Sequence, residues 1–260
     1  MIFTTLIVVA IVIFVFVTIL FGVSLLIKRN DIADVAWGIG VLTVGLTAER
    51  LYGVNSLANI VLLLALVWGF RLFIRILLRN SRKGEDARYK VWRETWGKWF
   101  YVRSYFQVYL LQGFLMIVVG YPLVHAVVFG GTVGLSTLSF VGLLIWVIGF
   151  CFEVIGDAQL DSYLRKPVKP TPVMDSGLWK YTRHPNYFGE VTMWWGIWLM
   201  IAHLPMSYIA LIGPLTITFL ILKVSGIPML EKRFEGNPDF EAYKAKTSAF
   251  FPLPPKKVTR

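Results

Sequence analysis

Cysteine occurs once in the chain, at Cys151, so no intrachain disulfide can form and the redox compartment stays open. Histidine is nearly as scarce. Its three copies, His125, His184 and His203, are too scattered for the ligand spacing of a metal site. Charge is also in short supply: 16% of the chain is charged against 57% hydrophobic, about two-thirds of the charge content of an ordinary soluble domain. A water-soluble fold of 260 residues cannot hide that much apolar surface in one core; a bilayer can. Two runs are almost bare of charge. Ile2–Ile27 has no acidic or basic side chain, and Ser104–Cys151 has none apart from His125. A membrane span takes about 20 apolar residues, so the first run makes one helix and the second makes two with a turn between. No basic region precedes the first run, and its length exceeds that of a cleaved signal, so it reads as a retained helix.

What charge there is leans one way, to a net +11. Basic loops beside apolar spans account for it, because cytoplasmic loops are enriched in Lys and Arg; no nucleic-acid partner is expected. The hydropathy pattern predicts an all-α, polytopic membrane protein with seven spans. They run over 2–27, 33–51, 57–78, 104–127, 138–156, 187–202 and 207–222. Lys28 and Arg29 follow the first span. Arg79, Arg82, Lys83, Arg88, Lys90, Arg93, Lys98 and Arg103 crowd the loop after the third, and Arg165, Lys166, Lys169, Lys180 and Arg183 follow the fifth. The alternate loops are nearly free of such residues, Arg50 excepted. This alternation puts the N-terminus outside and the C-terminus in the cytoplasm. Residues 1–260 then form a single membrane domain, with loops 79–103 and 157–186 and tail 223–260 as the cytoplasmic working face. No internal repeat is apparent, so a transporter built from inverted repeats gets no support.

The most informative stretch is Gly177–Glu190, GLWKYTRHPNYFGE. Pro185 suits the first position of a helix, where its missing N–H costs nothing. A helix N-terminus favours anions, and Arg183 and His184 stand beside this one. Asn186, Glu190 and Trp194 follow at four-residue spacing and share a face. Together they suit a phosphate plus a hydrogen-bonding ring, as a nucleotide has; an ordinary interfacial cap with aromatic belt residues is the structural alternative. Glu190 favours function, because a carboxylate inside a span is costly. Glu153, Asp157 and Asp161 recur at the same spacing before this segment. They can accept hydrogen bonds from ribose hydroxyls or an amide, coordinate a cation, or pair with Arg165 and Lys166. In the third span lie Trp68, Arg71 and Arg75; Arg75 can snorkel to the surface, whereas the deeper Arg71 needs an acidic partner, for which Asp31 and Asp34 are candidates. Gln107 and Gln112 are expected to face the bundle interior. His125 and His203, toward the outer side, read as non-functional. A mostly apolar cavity with a few polar groups suits a lipid-like substrate.

On these residues the chain resembles the steroid 5-alpha-reductase family, in its bacterial-type membrane branch. The likeness runs from Asp31–Gly38, DIADVAWG, to Phe251-Pro252, and is strongest from Glu153 onward. The Arg183-His184-Pro185 core is similar also to that of sterol-ring reductases and isoprenylcysteine carboxyl methyltransferases. The resemblance implies a seven-helix enzyme that uses NADPH to reduce a carbon–carbon double bond conjugated to a carbonyl, in a steroid-like or other lipid substrate. It implies cofactor contacts at Asp157, Arg165, Tyr181, Arg183, His184, Asn186, Tyr187, Glu190, Trp194 and Tyr243. The family's substrate-holding glutamine–glutamate pair is missing; Gly40-Val41 stand there, and Trp68 stands near the place of its tyrosine. Asp34, Trp68 and Arg71 are the expected substitutes. Two rivals share some features: a methyltransferase using S-adenosylmethionine, with Glu231 as its tail acid, and a non-catalytic membrane binding protein.

Overall fold

The computed structural model describes residues 2–53, 55–81, 84–131, 133–169 and 171–257; Arg82 and Lys83 of the basic loop lie outside them. Among the described residues the chain is helical, with no strand and one isolated parallel bridge, Thr182 to Ser248. The helices are α1 (Ile2–Ile27), α2 (Ile32–Val35), α3 (Trp37–Tyr52), α4 (Ser56–Ser81), α5 (Ala87–Phe129), α6 (Thr137–Arg165), α7 (Pro185–Ile201), α8 (Ser207–Phe234) and α9 (Pro238–Lys246). Five of them, α1, α4, α5, α6 and α8, are long and apolar enough to cross a bilayer, so this is a membrane protein. The other two expected spans fall on α3 and α7, which have 16 and 17 residues. At 1.5 Å per residue these reach about 25 Å, short of a ~30 Å hydrocarbon core.

The chain divides into two compact units, Met1–Ser136 with Ile201–Gly213, and Thr137–Met200 with Pro214–Arg260. In the first, α1 buries one residue per turn, Thr5, Val9, Ile13 and Val17, and leaves most of its remaining apolar surface exposed. Within a bilayer water does not drive helices together, so close packing at small residues does. Gly38 of α3 and Gly69 of α4 meet backbone to backbone: a methyl group added at Gly38 would stand 2.6 Å from the Gly69 carbonyl oxygen. Gly45 and Gly120 admit Leu62, Leu123 and Val44 in the same way. Helix α5 contains a π stretch, Tyr105–Leu110. There Tyr109 turns inward, whereas Gln107 is exposed, contrary to the sequence expectation. Wider i→i+5 turns shift the helical face that an α pattern assumes.

In the second unit, α6 and α7 pack along glycines seven apart. Gly142 faces Gly196, Gly149 faces Gly189, and Gly156 faces Pro185. Trp195 Nε1 donates to Thr218 of α8 at 3.1 Å. Helix α8 breaks at Ser225-Gly226, and its polar last part, from Ile227, lies beyond the apolar stretch. Asn237 caps α9, accepting from the N–H groups of Asp239 and Phe240, and Pro238 takes the first position.

Candidate functional site

The sequence-selected residues fall into both units. Asp34, Trp68 and Arg71 belong to the first. There the Asp34 carboxylate accepts from Arg88 at 2.6 Å, from the Tyr89 hydroxyl at 3.2 Å and from Gln112 at 3.2 Å. Asp31 takes a two-pronged contact from Arg29. Neighbouring Asn30 accepts from the Tyr109 hydroxyl and donates to Ser104 and, through its backbone N–H, to Glu85. Arg93 closes the network on Glu85 at 3.0 Å. Arg88, which the sequence marks only as one of the basic loop residues, and Tyr89, which it does not mark, are thus the principal partners of Asp34. No local pattern marks them, because 54 and 55 residues separate them from it. Trp68 is fully buried and Arg71 half-buried.

All ten residues assigned to a cofactor lie in the second unit. The glycine contacts of α6 and α7 set the backbones so close that a methyl group added at Gly189 would stand 2.6 Å from the Glu153 nitrogen. That proximity joins the two polar series: Asn186 Nδ2 donates to Asp157 Oδ1 at 3.2 Å. Glu153 and Asp157 are each only 4% exposed, Trp194 is fully buried, and Asn186, Tyr187 and Glu190 are half-buried. Asp157, Asp161 and Arg165 follow along one face of α6. The last two line a shallow concavity with Ala158, Ser162, Lys166 and Pro167.

Over this sits the loop 177–184. Gly177 has φ +62°, open to glycine at no steric cost, and any side chain there would collide with Gln159. The Gln159 amide oxygen accepts from Leu178 N–H at 2.9 Å, and Trp179 Nε1 donates to the Gly156 carbonyl at 3.0 Å. The chain beyond α9 then straps the loop. Arg183 N–H donates to the Ser248 carbonyl, Leu253 N–H to the Tyr181 carbonyl, and the Thr182 hydroxyl to the Phe250 carbonyl. The Tyr243 hydroxyl donates to the Trp179 carbonyl; Tyr243 is buried, while Tyr181 is exposed.

Arg183 and His184 are 7% and 3% exposed. The Arg183 guanidinium donates to both oxygens of Glu231, at 2.9 and 3.2 Å, and to the carbonyls of Lys244 and Thr247. His184 Nε2 lies 2.9 Å from Glu231 Oε1, and its ring stacks on Tyr187 with centroids 5.5 Å apart. The other ring nitrogen, Nδ1, is buried without a hydrogen-bond partner among the described residues. We therefore assign the proton to Nε2, which donates to Glu231. Burial lowers the His184 pKa, and Arg183 adds to this against the pull of Glu231. Burial works against the Glu231 carboxylate too, but the hydrogen bonds from His184 and Arg183 prevail and bring it down to about 2. Asn186 Oδ1 accepts from the Tyr187 N–H, and the Thr182 hydroxyl from that of His184, so the start of α7 is already capped. The anion-holding role expected of Arg183 and the helix start thus competes with Glu231 and these caps, whereas Arg165 and Lys166 are exposed cations.

The family described as "Protein of unknown function (DUF1295)" matches residues 20–247 of the chain. An uncharacterized protein of Schizosaccharomyces pombe is 24% identical over 213 residues. That match takes in 72% of this chain and spans 61% of the yeast protein's length. No solved structure matches the chain.

Proposed function

The chain belongs to the DUF1295 family, and from the geometry of its second unit we propose that it is an NADPH-dependent membrane reductase of the steroid 5-alpha-reductase type. It reduces a carbon–carbon double bond conjugated to a carbonyl in a lipid-like substrate. The observation that carries this reading is the Asp157–Asn186 pair, a carboxylate and an amide joined at 3.2 Å where two glycine-packed membrane helices meet. A buried carboxylate among apolar helices is costly and characteristic of sites.

The donor set fits a dinucleotide. Asp157, Asn186 and Glu190 supply acceptors and an amide for ribose hydroxyls and a carboxamide, and Trp194 supplies an apolar ring wall. Arg165 stands eight residues beyond Asp157 on the same face of α6, about 12 Å along the axis; with Lys166 it offers positive charge to phosphates. Arg183, His184 and Glu231 act as positioning residues that hold the loop and the start of α7. When bound, NADPH supplies a hydride to the carbon beta to the carbonyl. The oxygen that gains charge in that step needs a hydrogen-bond donor. Within the first unit, Asp34, which accepts from three donors, serves as an anchor. The N-terminus outside and the C-terminus in the cytoplasm complete the proposal, with seven spans once α3 and α7 are counted.

A second reading, an S-adenosylmethionine-dependent methyltransferase, is favoured by one observation: Glu231, the tail acid of that resemblance, pairs with the Arg-His-Pro core. Calorimetric titration of the purified full chain with NADPH and with S-adenosylmethionine separates the two. Saturable NADPH binding is expected. Binding of the methyl donor alone overturns the reductase.

A further inference from the structure

Two histidines that the sequence sets aside tie together one end of the first unit. His125 of α5 is fully buried, its ring beside those of Tyr121 and Phe129, with centroids 6.0 and 4.6 Å away. Its Nε2 lies 3.0 Å from the Pro205 carbonyl oxygen, and Nε2 of His203 lies 3.2 Å from that of Gly134. A carbonyl only accepts, so we assign the proton of both rings to Nε2. Nδ1 of each ring is buried and meets no hydrogen-bond partner among the described residues. Both bonds converge on the turn 202–206 between α7 and α8. His203 ties it to the connection between α5 and α6, and His125 ties it to α5. The turn holds Met206 at φ +57°, uncommon for a residue with a side chain. It buries Leu204 and is closed by hydrogen bonds from Leu204 N–H to the Ile201 carbonyl and from Ser207 N–H to that of Leu204. The charged groups at this end of the unit are Glu49 and Arg50, at the close of α3; neither pairs with either ring among the described residues. The other titratable groups here are phenols: Tyr121, the exposed Tyr208, and Tyr52, whose hydroxyl accepts from Thr5.

We infer that His125 and His203 form a pH-operated latch on the turn between α7 and α8: neutral imidazoles hold it closed, and their protonation releases it. A second proton puts an N–H and a charge on a buried nitrogen with nothing to accept them, which is costly. A charged ring is accommodated where it reaches water, with the turn open. The open turn thus binds protons that the closed one excludes, and falling pH favours opening. The same movement relieves the backbone of Met206. Imidazole changes charge between about pH 5 and 8, so the latch works in a range that cells and their surroundings reach. In the orientation proposed above it faces the exterior.

Hydrogen–deuterium exchange of the full chain in detergent tests this, read at about pH 7.5 and about 5.5 and corrected for the intrinsic pH dependence of exchange. The amides of Leu204, Ser207 and Ile209, which close the turn, should lose protection on the order of tenfold or more at the lower pH. The stretch 57–65 of α4, in the same unit, should keep its protection. In H125Q/H203Q each carboxamide nitrogen can donate to the carbonyl that Nε2 served but takes up no proton, so protection of the turn should be the same at both pH values. H203Q alone, at a half-buried position, serves if the double variant does not fold, and should shrink the response. The inference is overturned if the wild-type turn is equally protected at both pH values, if 57–65 loosens as much as the turn, or if the glutamine variant responds as the wild type does.

Discussion

Glu231 reaches back across 47 residues of chain to His184, with 2.9 Å between Oε1 and the imidazole Nε2. The same carboxylate takes two hydrogen bonds from Arg183. One acid thus holds both basic residues of the Arg-His-Pro segment and ties the polar end of α8 to the start of α7.

Removing that acid strands a buried guanidinium. Glu231→Gln should destabilise the protein by roughly 3–5 kcal/mol, the range for breaking a buried ion pair from one side. The double change Arg183→Met with Glu231→Leu should cost less, since no charge is left unpaired. Denaturation midpoints in detergent compare the two. A double variant as unstable as Glu231→Gln would remove the pair from its central place.

The same cluster sets an acid limit. The folded His184 titrates below its ordinary value of 6.5, so the unfolded chain binds its proton first and stability falls as pH drops below 6.5. Glu231, brought from 4.5 to about 2, contributes fully above pH 4.5 and loses its contribution as pH falls from there toward 2. Thermal melts between pH 7.5 and 4 should show His184→Gln with a shallower decline in the upper window. Parallel curves for variant and wild type would exclude His184 as the sensor.

Gly149→Val places a branched side chain where the Gly189 carbonyl oxygen already lies 2.6 Å from the Cβ position. Overpacking of this kind costs about 1–3 kcal/mol. Forcing α6 from α7 also parts Asp157 from Asn186, so NADPH affinity should fall together with melting temperature. The exposed Gly131, with open space around its Cβ position, should accept alanine at no such cost.

Glu190→Gln separates a cofactor contact from a structural one. It keeps size and an acceptor oxygen and removes the charge. Without NADPH the variant should melt near the wild type, while the NADPH-induced rise in melting temperature shrinks. Affinity drops about tenfold for each ~1.4 kcal/mol lost. Equal NADPH-induced stabilisation in both proteins would take Glu190 out of the site.

Orientation is open to labelling. With Cys151 replaced by serine, a cysteine at Lys169 should react with a membrane-impermeant maleimide only after the cytoplasm is opened. Cysteines at Gly131 and His203 should react in intact cells. External labelling at 169 would reverse the topology.

The amino-acid sequence by itself determined that this is an all-helical membrane protein and where its long helices run. The bilayer imposes a single local requirement, an apolar run with every backbone group paired internally, and Ile2–Ile27 or Leu138–Gly156 can be read against it without knowing the fold. It also marked Pro185 as a helix start, because a proline at that position acts through its own ring. The tertiary structure alone decided which polar groups meet. His184 and Glu231, or Asp34 and Arg88, are paired across roughly fifty residues, and no local periodicity encodes a contact over that distance. The glycines show both sides of this division. Gly142, Gly149 and Gly156 stand seven apart in plain view, as do Gly189 and Gly196, yet only the packed helices give the spacing its meaning. Without a Cβ between them the backbones of α6 and α7 touch, and that contact brings Asp157 to Asn186.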